Sequence, residues 1–172
     1  SGCGGQSEQK KFVITYLPNE STDKNADARK GMAGDLSKGL GMEVTELVSN
    51  DYNAVIEAMR TGKADMAYFG PLSFCLAYER AGAEPIGMIA KDKDKKNATY
   101  KSVLVTSSKN TDINSIQDIK GKTMAFVDPN STSGNLIPSA AIMKAFPGEK
   151  LSMDDLHTNG KFFQAVSFSG KH

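Results

Sequence analysis

Strand-like and helix-like patterns alternate along the first part of the chain, and this alternation is the feature that most limits the available folds. Short apolar runs typical of strands are separated by segments with apolar residues at helical spacing, and glycine or proline marks most of the changes. Strand patterns cover 11–17, 43–48, 64–69 and 100–107, a further apolar run covers 85–90, and helical patterns cover 26–39, 52–61 and 71–82. Parallel strands joined by crossover helices have this order, so the sequence predicts an α/β fold with a mostly parallel sheet.

The pattern changes after residue 107. A polar segment at 108–115 is followed by a helical turn at 116–120, a strand pattern at 122–127 and a helical pattern at 136–146. An acidic turn then precedes a last strand pattern at 162–168. We therefore predict a first lobe over 12–107 and a second over 108–172. The second part has only two strand patterns and is too short to bury a core of its own, so we expect the second lobe to be incomplete.

Composition and charge exclude several classes of protein. The 172 residues carry 21 Lys and Arg against 20 Asp and Glu, a net charge of +1, which is not the basic surface expected of a nucleic-acid-binding protein. No run approaches the roughly 18 apolar residues of a membrane-spanning helix. With two cysteines and two histidines, the chain offers neither a disulfide scaffold nor the clustered ligands of a zinc site. No metal and no cofactor are therefore expected.

The N-terminal segment, residues 1–11, is small and polar and is predicted to be a flexible tether. Within it, Cys3 follows Ser-Gly and precedes a Gly, Ser and Gln spacer, which resembles the cleavage site of bacterial lipoproteins. That resemblance implies a lipid-anchored protein that works outside the cytoplasm. The alternative is a small-residue tail with an incidental cysteine. If Cys3 is lipidated, Cys75 has no partner and is predicted to be a buried thiol in a helix.

One loop, residues 128–134, carries the clearest chemistry, and we call it the hydroxyl loop. It follows a strand pattern, precedes a helical pattern and contains Ser131, Thr132, Ser133 and Gly134. Hydroxyl donors, a glycine and the N–H groups of a helix start together have the outline of an anion site. The alternative is that the hydroxyls cap the helix without binding a ligand. The loop lacks the lysine of a nucleotide-binding P-loop, which disfavours nucleotides. Pro138 leaves two possibilities: a helix kinked at the proline, or a helix that begins near residue 137 with the hydroxyl loop as a separate turn.

Four segments resemble a known family in sequence and in order. They are DYNAVIEAMR at 51–60, ADMAYFGPLS at 64–73, YKSVL at 100–104 and DPNSTSG at 128–134. They are similar to the phosphonate- and phosphite-binding proteins of bacterial ABC importers. The resemblance implies a type II periplasmic-binding-protein-like fold whose two lobes close on a small phosphorus oxyanion. It also implies a binding protein, not an enzyme, that delivers this ligand to a permease in the membrane.

The resemblance also implies roles for particular residues. Ser131, Thr132 and Ser133 would hold the phosphonate oxygens, while Tyr52 and Tyr100 would donate phenolic hydrogen bonds from the opposite side. His172 matches a ligand-contacting histidine of the family in its Ser-Gly-x-His setting. The two tyrosines could instead be half-buried core aromatics, and the histidine a frayed terminal residue. Family members continue well past this histidine, so we expect the chain to be a fragment.

Two other functions are compatible with the sequence. An extracytoplasmic sensor lobe would share the same pocket but dock on a signalling receptor instead of a permease. A serine-dependent hydrolase would use one of Ser131–Ser133 as nucleophile and His157 or His172 as base, although the Gly-x-Ser-x-Gly motif is absent.

Overall fold

The computed structural model describes residues 10–172, which divide into two compact units. The first ends at Phe69 and the second runs from Gly70 to His172. The predicted lipidation at Cys3 and most of the predicted tether lie outside the described residues. The predicted lobe limits, 12–107 and 108–172, remain a prediction. Across residues 10–172, no helix combines the length and apolar character needed to cross a bilayer.

The first unit is a small parallel sheet with two helices. Its elements are β1 (Phe12–Thr15), α1 (Ala26–Leu40), β2 (Val44–Leu47), α2 (Tyr52–Arg60) and β3 (Met66–Ala67). The strand order is β2-β1-β3, and both pairings are parallel. Helix α2 begins where the sequence places a cap, since Asp51 Oδ1 accepts the Ala54 N–H at 2.7 Å. Val55 and Ile56 on its inner face are fully buried. The predicted α/β alternation is confirmed here.

The second unit has more helix and a two-stranded sheet. Its elements are α3 (Pro71–Ala81), β4 (Thr123–Phe126), a π-helical turn (Thr132–Leu136), α4 (Ile137–Ala145), α5 (Met153–His157) and β5 (Ala165–Phe168). Single 3-10 turns lie at Lys95–Asn97, Ile116–Asp118 and Pro147–Glu149. Strands β4 and β5 pair in parallel. The core packs mainly through aromatic edges and consists of Phe126, Ile142, Leu156, Phe162 and Phe163. All five residues lie within 108–172, so the expectation that this part is too short to bury a core of its own is wrong.

The strand predicted at 100–107 does not form, and the apolar run at 85–90 forms no strand either. In the described part of the chain, no strand pairs with these segments. Their apolar side chains are exposed, and Val105 is 87% accessible. An apolar alternation specifies a strand only where a neighbouring strand supplies the hydrogen bonds, so the prediction is wrong for these residues.

Two further expectations require correction. Cys75 is exposed, not buried. The buried residues of α3 are Ser73 and Ala77, four residues apart on one face, and Cys75 lies midway between them on the opposite face. Residues 153–157, which the sequence suggests are an acidic turn, form helix α5. Its signal is a capping box, in which Ser152 Oγ accepts the Asp155 N–H and the Asp155 carboxylate accepts the Ser152 N–H.

Candidate anion-binding site

The hydroxyl loop leads into a π-helical turn, and this settles the question raised by Pro138. The turn covers Thr132–Leu136, and α4 begins at Ile137 with Pro138 as its second residue. The α-helix thus begins at residue 137, but the π-helical turn continues into it without a break, because Leu136 and Ile137 both have helical φ and ψ angles. Ser131 caps the π-helical turn, because its Oγ accepts the Gly134 N–H at 3.0 Å and its carbonyl accepts the Leu136 N–H at 3.1 Å. The Ser131 side chain is only 1% exposed.

Pro138 has no N–H, so backbone carbonyls one turn earlier bond to other parts of the unit. The Gly134 carbonyl accepts the Val127 N–H at 3.0 Å, directly after β4. The Ser133 carbonyl accepts the hydroxyl of Ser102 at 2.7 Å. The hydroxyl loop is thus tied both to the end of β4 and to the segment that contains Tyr100.

Removing the Ser102 hydroxyl is expected to loosen the hydroxyl loop. In Ser102→Ala, the Ser133 carbonyl loses its donor, and we expect the free energy of unfolding to fall by about 1 kcal/mol. Urea denaturation followed by circular dichroism measures this change. Ser108→Ala, at an exposed serine of the same segment, is the matched control and should change nothing measurable. Equal stability of the two variants would contradict the proposed tie.

The hydroxyl of Thr132 lies at the N-terminus of α3. The Leu72 N–H, in the first turn of that helix, donates to Thr132 Oγ1 at 3.0 Å. The Oγ1 atom would lie 3.3 Å from a Cβ built on Gly70, and the Tyr100 hydroxyl oxygen would lie 3.9 Å from the same point. Since one lone pair of Oγ1 is occupied by Leu72, its own proton is left to donate to a ligand. Two hydroxyl donors and a positively polarised helix start are brought together here.

Further donors come from the turn itself and from the last residue. The N–H groups of Thr132 and Ser133 belong to the first turn of the π-helical segment, where backbone donors have no partner within the helix. Ser133 Oγ lies 3.5 Å from Nε2 of His172, which is exposed. Tyr100 is also accessible, with 62% of its surface exposed. The second unit therefore holds five of the predicted site residues near the start of α3 and the hydroxyl loop.

The remaining predicted residue, Tyr52, lies in the first unit at the start of α2. Its side chain is only 3% exposed, and its hydroxyl donates to Asn19 Oδ1 at 3.1 Å. Tyr52 is therefore a buried aromatic with an internal hydrogen bond, and contact with a ligand would require its hydroxyl to leave Asn19. Its role in binding stays a prediction, as do the roles of the other five residues.

Behind the hydroxyl loop lies a histidine that no sequence pattern connects to the loop. His157 Nε2 is 2.6 Å from Asn135 Oδ1. Its ring packs edge-on against Phe126 and Phe168, each with centroids 5.1 Å away. Burial lowers the pKa of His157 below its ordinary value, although the nearby Asp154 acts in the opposite direction. The imidazole is thus favoured in its neutral form.

This lowered pKa predicts a loss of stability in mild acid. The unfolded chain binds a proton at His157 from about pH 6.5 downward, whereas the folded chain binds that proton only at a lower pH. The free energy of unfolding should therefore be at its full value above that pH and fall as the pH drops through the folded pKa. Urea unfolding between pH 7.5 and 5 measures this slope, and His157→Gln, which cannot titrate, should flatten it. An unchanged slope in the variant would contradict the assignment.

Sequence comparison places most of the chain within one family. Residues 14–172 match the family described as "ABC transporter, phosphonate, periplasmic substrate-binding protein". The phosphate-import protein PhnD of Mycolicibacterium smegmatis is 36% identical over 134 residues, which are 77% of this chain and 41% of that protein. The phosphonates-binding periplasmic protein of Escherichia coli is 37% identical over 143 residues, 80% of this chain and 41% of that protein. A probable ABC transporter phosphite-binding protein, PhnD1 of Prochlorococcus marinus, is 31% identical over 96% of this chain and 53% of its own length.

Solved structures show the same fold. A binding protein component of an ABC phosphonate transporter from Pseudomonas aeruginosa has a TM-score of 0.68 at 24% identity, with 94% of this chain and 51% of that chain covered. PhnD1 of Prochlorococcus marinus, solved in complex with methylphosphonate, has a TM-score of 0.61 at 23% identity, with 95% and 57% covered. These likenesses confirm the expected periplasmic-binding-protein-like α/β fold, and the chain spans about half the length of the relatives it matches. The chain therefore belongs to the family described as "ABC transporter, phosphonate, periplasmic substrate-binding protein".

Proposed function

We propose that the protein containing this chain binds a phosphonate, phosphite or related phosphorus oxyanion outside the cytoplasm and delivers it to an ABC importer in the membrane. The observation that carries this proposal is the cluster of Thr132, Ser133 and Tyr100 at the start of α3, in a chain of this family. The names of the relatives, which include a phosphite-binding and a phosphonates-binding protein, support the ligand class.

The chemistry of the cluster suits a tetrahedral oxyanion. Such an ion presents three acceptor oxygens, and the hydroxyl loop offers both hydroxyl and backbone donors, with the hydroxyls of Thr132 and Tyr100 close to the same point. No lysine or arginine lies between Lys122 and Lys144, so any anion held by the loop would be bound by hydroxyl and backbone donors and not by a basic side chain of the loop. His172, beside Ser133, adds an imidazole that can donate to a ligand oxygen.

Binding without turnover is part of the proposal. The buried Ser131 acts as a cap through its Oγ, and His157 bonds to Asn135. Ser131 is therefore not positioned as the nucleophile of a hydrolase, and His157 is not positioned as its base. Ser133 and His172 do approach each other, but the family consists of substrate-binding transport proteins. Incubation of the full-length protein with a phosphonate and analysis by phosphorus NMR should return the ligand unchanged. A product signal that disappears in Ser133→Ala would support the hydrolase instead.

A calorimetric titration of the full-length protein tests the proposed ligand class. Methylphosphonate, 2-aminoethylphosphonate, phosphite and phosphate are titrated separately, with sulfate as an oxyanion of different chemistry. At least one phosphorus compound should bind, and it should raise the melting temperature, since a ligand at a hundred times its Kd stabilises the folded state by about 2.7 kcal/mol. No heat and no melting shift with any of the four would exclude the proposal.

We further propose that Cys3 is acylated and anchors the protein to the membrane surface. The proposal is supported by the Ser-Gly-Cys sequence and the polar residues that follow it. In cells that express the full-length precursor, the protein should partition into the membrane fraction, and Cys3→Ala should release it to the soluble fraction. Cys75→Ala is the matched control because it removes the other thiol. Membrane retention of the Cys3 variant would contradict the anchor.

A further inference from the structure

Asn135, the residue directly after the hydroxyl loop, is almost completely buried, with 2% of its surface exposed. Its Nδ2 donates to the carbonyl of Pro129 at 3.1 Å. Pro129 is near the beginning of the loop, so this hydrogen bond joins the two ends of the loop across its base. The buried Asn135 side chain therefore holds the two ends of the loop together.

The other end of the same amide is also bound. Asn135 Oδ1 lies 2.6 Å from Nε2 of His157 and accepts the hydroxyl of Ser139 at 3.4 Å. An amide with partners at both ends has a single orientation, and a buried polar group without its partner is costly. Because Oδ1 only accepts, His157 must carry its proton on Nε2.

His157 is in turn held by the core of the second unit. The groups packed against its ring are the apolar Phe126, the last residue of β4, and Phe168, the last residue of β5. Asp154, on its own helix, is the charged group that acts on it. The ring therefore cannot shift without disturbing the end of the sheet. Through its hydrogen bond, the fixed ring also restricts the position of Asn135.

The π-helical turn explains why such support is needed. A π-turn is wider than an α-turn and is less favourable, so it persists where surrounding contacts select it. Here it includes Thr132, Ser133 and Asn135, and it lets the first two remain partly accessible while Asn135 points into the core. In an α-turn, the same residues would be rotated relative to one another.

We propose that Asn135 and His157 are a positioning pair: they select the π-turn and so aim the hydroxyls and amides of Thr132 and Ser133 at the ligand. This inference rests on the proposed function. Neither residue contacts the ligand in this proposal, and both act through the shape of the hydroxyl loop.

Two substitutions at His157 test the pair in the full-length protein. His157→Leu fills similar space without a donor, whereas His157→Gln places an amide nitrogen near the position of Nε2. We expect His157→Leu to weaken methylphosphonate binding about tenfold, the effect of one lost hydrogen bond, and His157→Gln to restore affinity to within threefold of the wild type. Equal affinity of wild type and His157→Leu, or equal loss in both variants, would overturn the proposal.

A measurement without ligand separates the two proposals. Amide hydrogen exchange at Leu136 and Ile137 reports the hydrogen bonds of the turn, and it should accelerate at least tenfold in His157→Leu but not in His157→Gln, while the β4 amides stay protected. If wild type binds none of methylphosphonate, 2-aminoethylphosphonate, phosphite and phosphate but the exchange pattern is as expected, the proposed function fails, while the support of the π-turn by Asn135 and His157 stands. If wild type binds and exchange at the turn is the same in all three proteins, the positioning pair is wrong.

Discussion

Replacing Thr132 by valine is expected to reduce the affinity for methylphosphonate by roughly one hundredfold, because a hydrogen bond to a charged ligand contributes about 1.5–3 kcal/mol. Valine has nearly the shape of threonine but cannot donate to the oxyanion. It also leaves the Leu72 N–H, which now donates to Thr132 Oγ1, without that acceptor at the start of α3. Calorimetry on the full-length protein measures the loss.

Thr132→Ser is the matched control for this substitution. Serine keeps the hydroxyl and removes only a methyl group, so its affinity should stay within a few-fold of the wild type. Both variants should melt cooperatively, since Thr132 is not part of the core of the second unit. Similar affinities for the valine and serine variants would exclude Thr132 as a ligand donor.

Gly134→Ala is expected to have the largest effect on stability. A Cβ at this position would lie 2.3 Å from Val127 Cγ2 and 2.8 Å from Ser131 Oγ. Neither neighbour moves easily, because Val127 N–H bonds to the Gly134 carbonyl and Ser131 Oγ accepts the Gly134 N–H. Overpacking of this kind costs about 1–3 kcal/mol, and the variant should also lose affinity because the hydroxyl loop must move away from β4. Urea denaturation and methylphosphonate titration measure the two effects.

Gly148→Ala provides the comparison for the alanine substitution. A Cβ at Gly148 meets no atom within 4 Å, and the residue lies in a 3-10 turn of the same unit. Its stability should stay within about 0.5 kcal/mol of the wild type, as for other surface changes. Equal stability of Gly134→Ala and Gly148→Ala would contradict this prediction, because it would show that the hydroxyl loop can accommodate a Cβ at residue 134.

The parts of the fold that could be predicted from sequence depend on local signals. Asp51 marks the start of α2, and Gly41 and Gly82 end α1 and α3 in the left-handed conformation that glycine adopts readily. The hydroxyl loop was also predictable, since its residue types and its place between a strand and a helix are visible in the sequence. Such signals act between residues a few positions apart.

The parts that could not be predicted depend on distant partners. The apolar segment at 100–107 has the composition of a strand, but strand formation is decided by a neighbour elsewhere in the chain. The contact of Asn135 with His157 joins residues 22 positions apart, and that of Ser102 with Ser133 joins residues 31 apart. Pro138 indicates that carbonyls before it need other donors, but it does not identify them.

The absence of lysine and arginine from the hydroxyl loop has a consequence for how fast the ligand is captured. Charged residues attract an anion over a distance of about one Debye length, roughly 10 Å at 0.1 M salt, whereas dipoles act only near contact. The N–H and O–H donors of the loop therefore attract the ligand only when it is nearly in contact with them. Any dependence of the capture rate on ionic strength must therefore come from charged residues such as Lys101, beside Tyr100, and Lys171, beside His172, and not from cations within the loop.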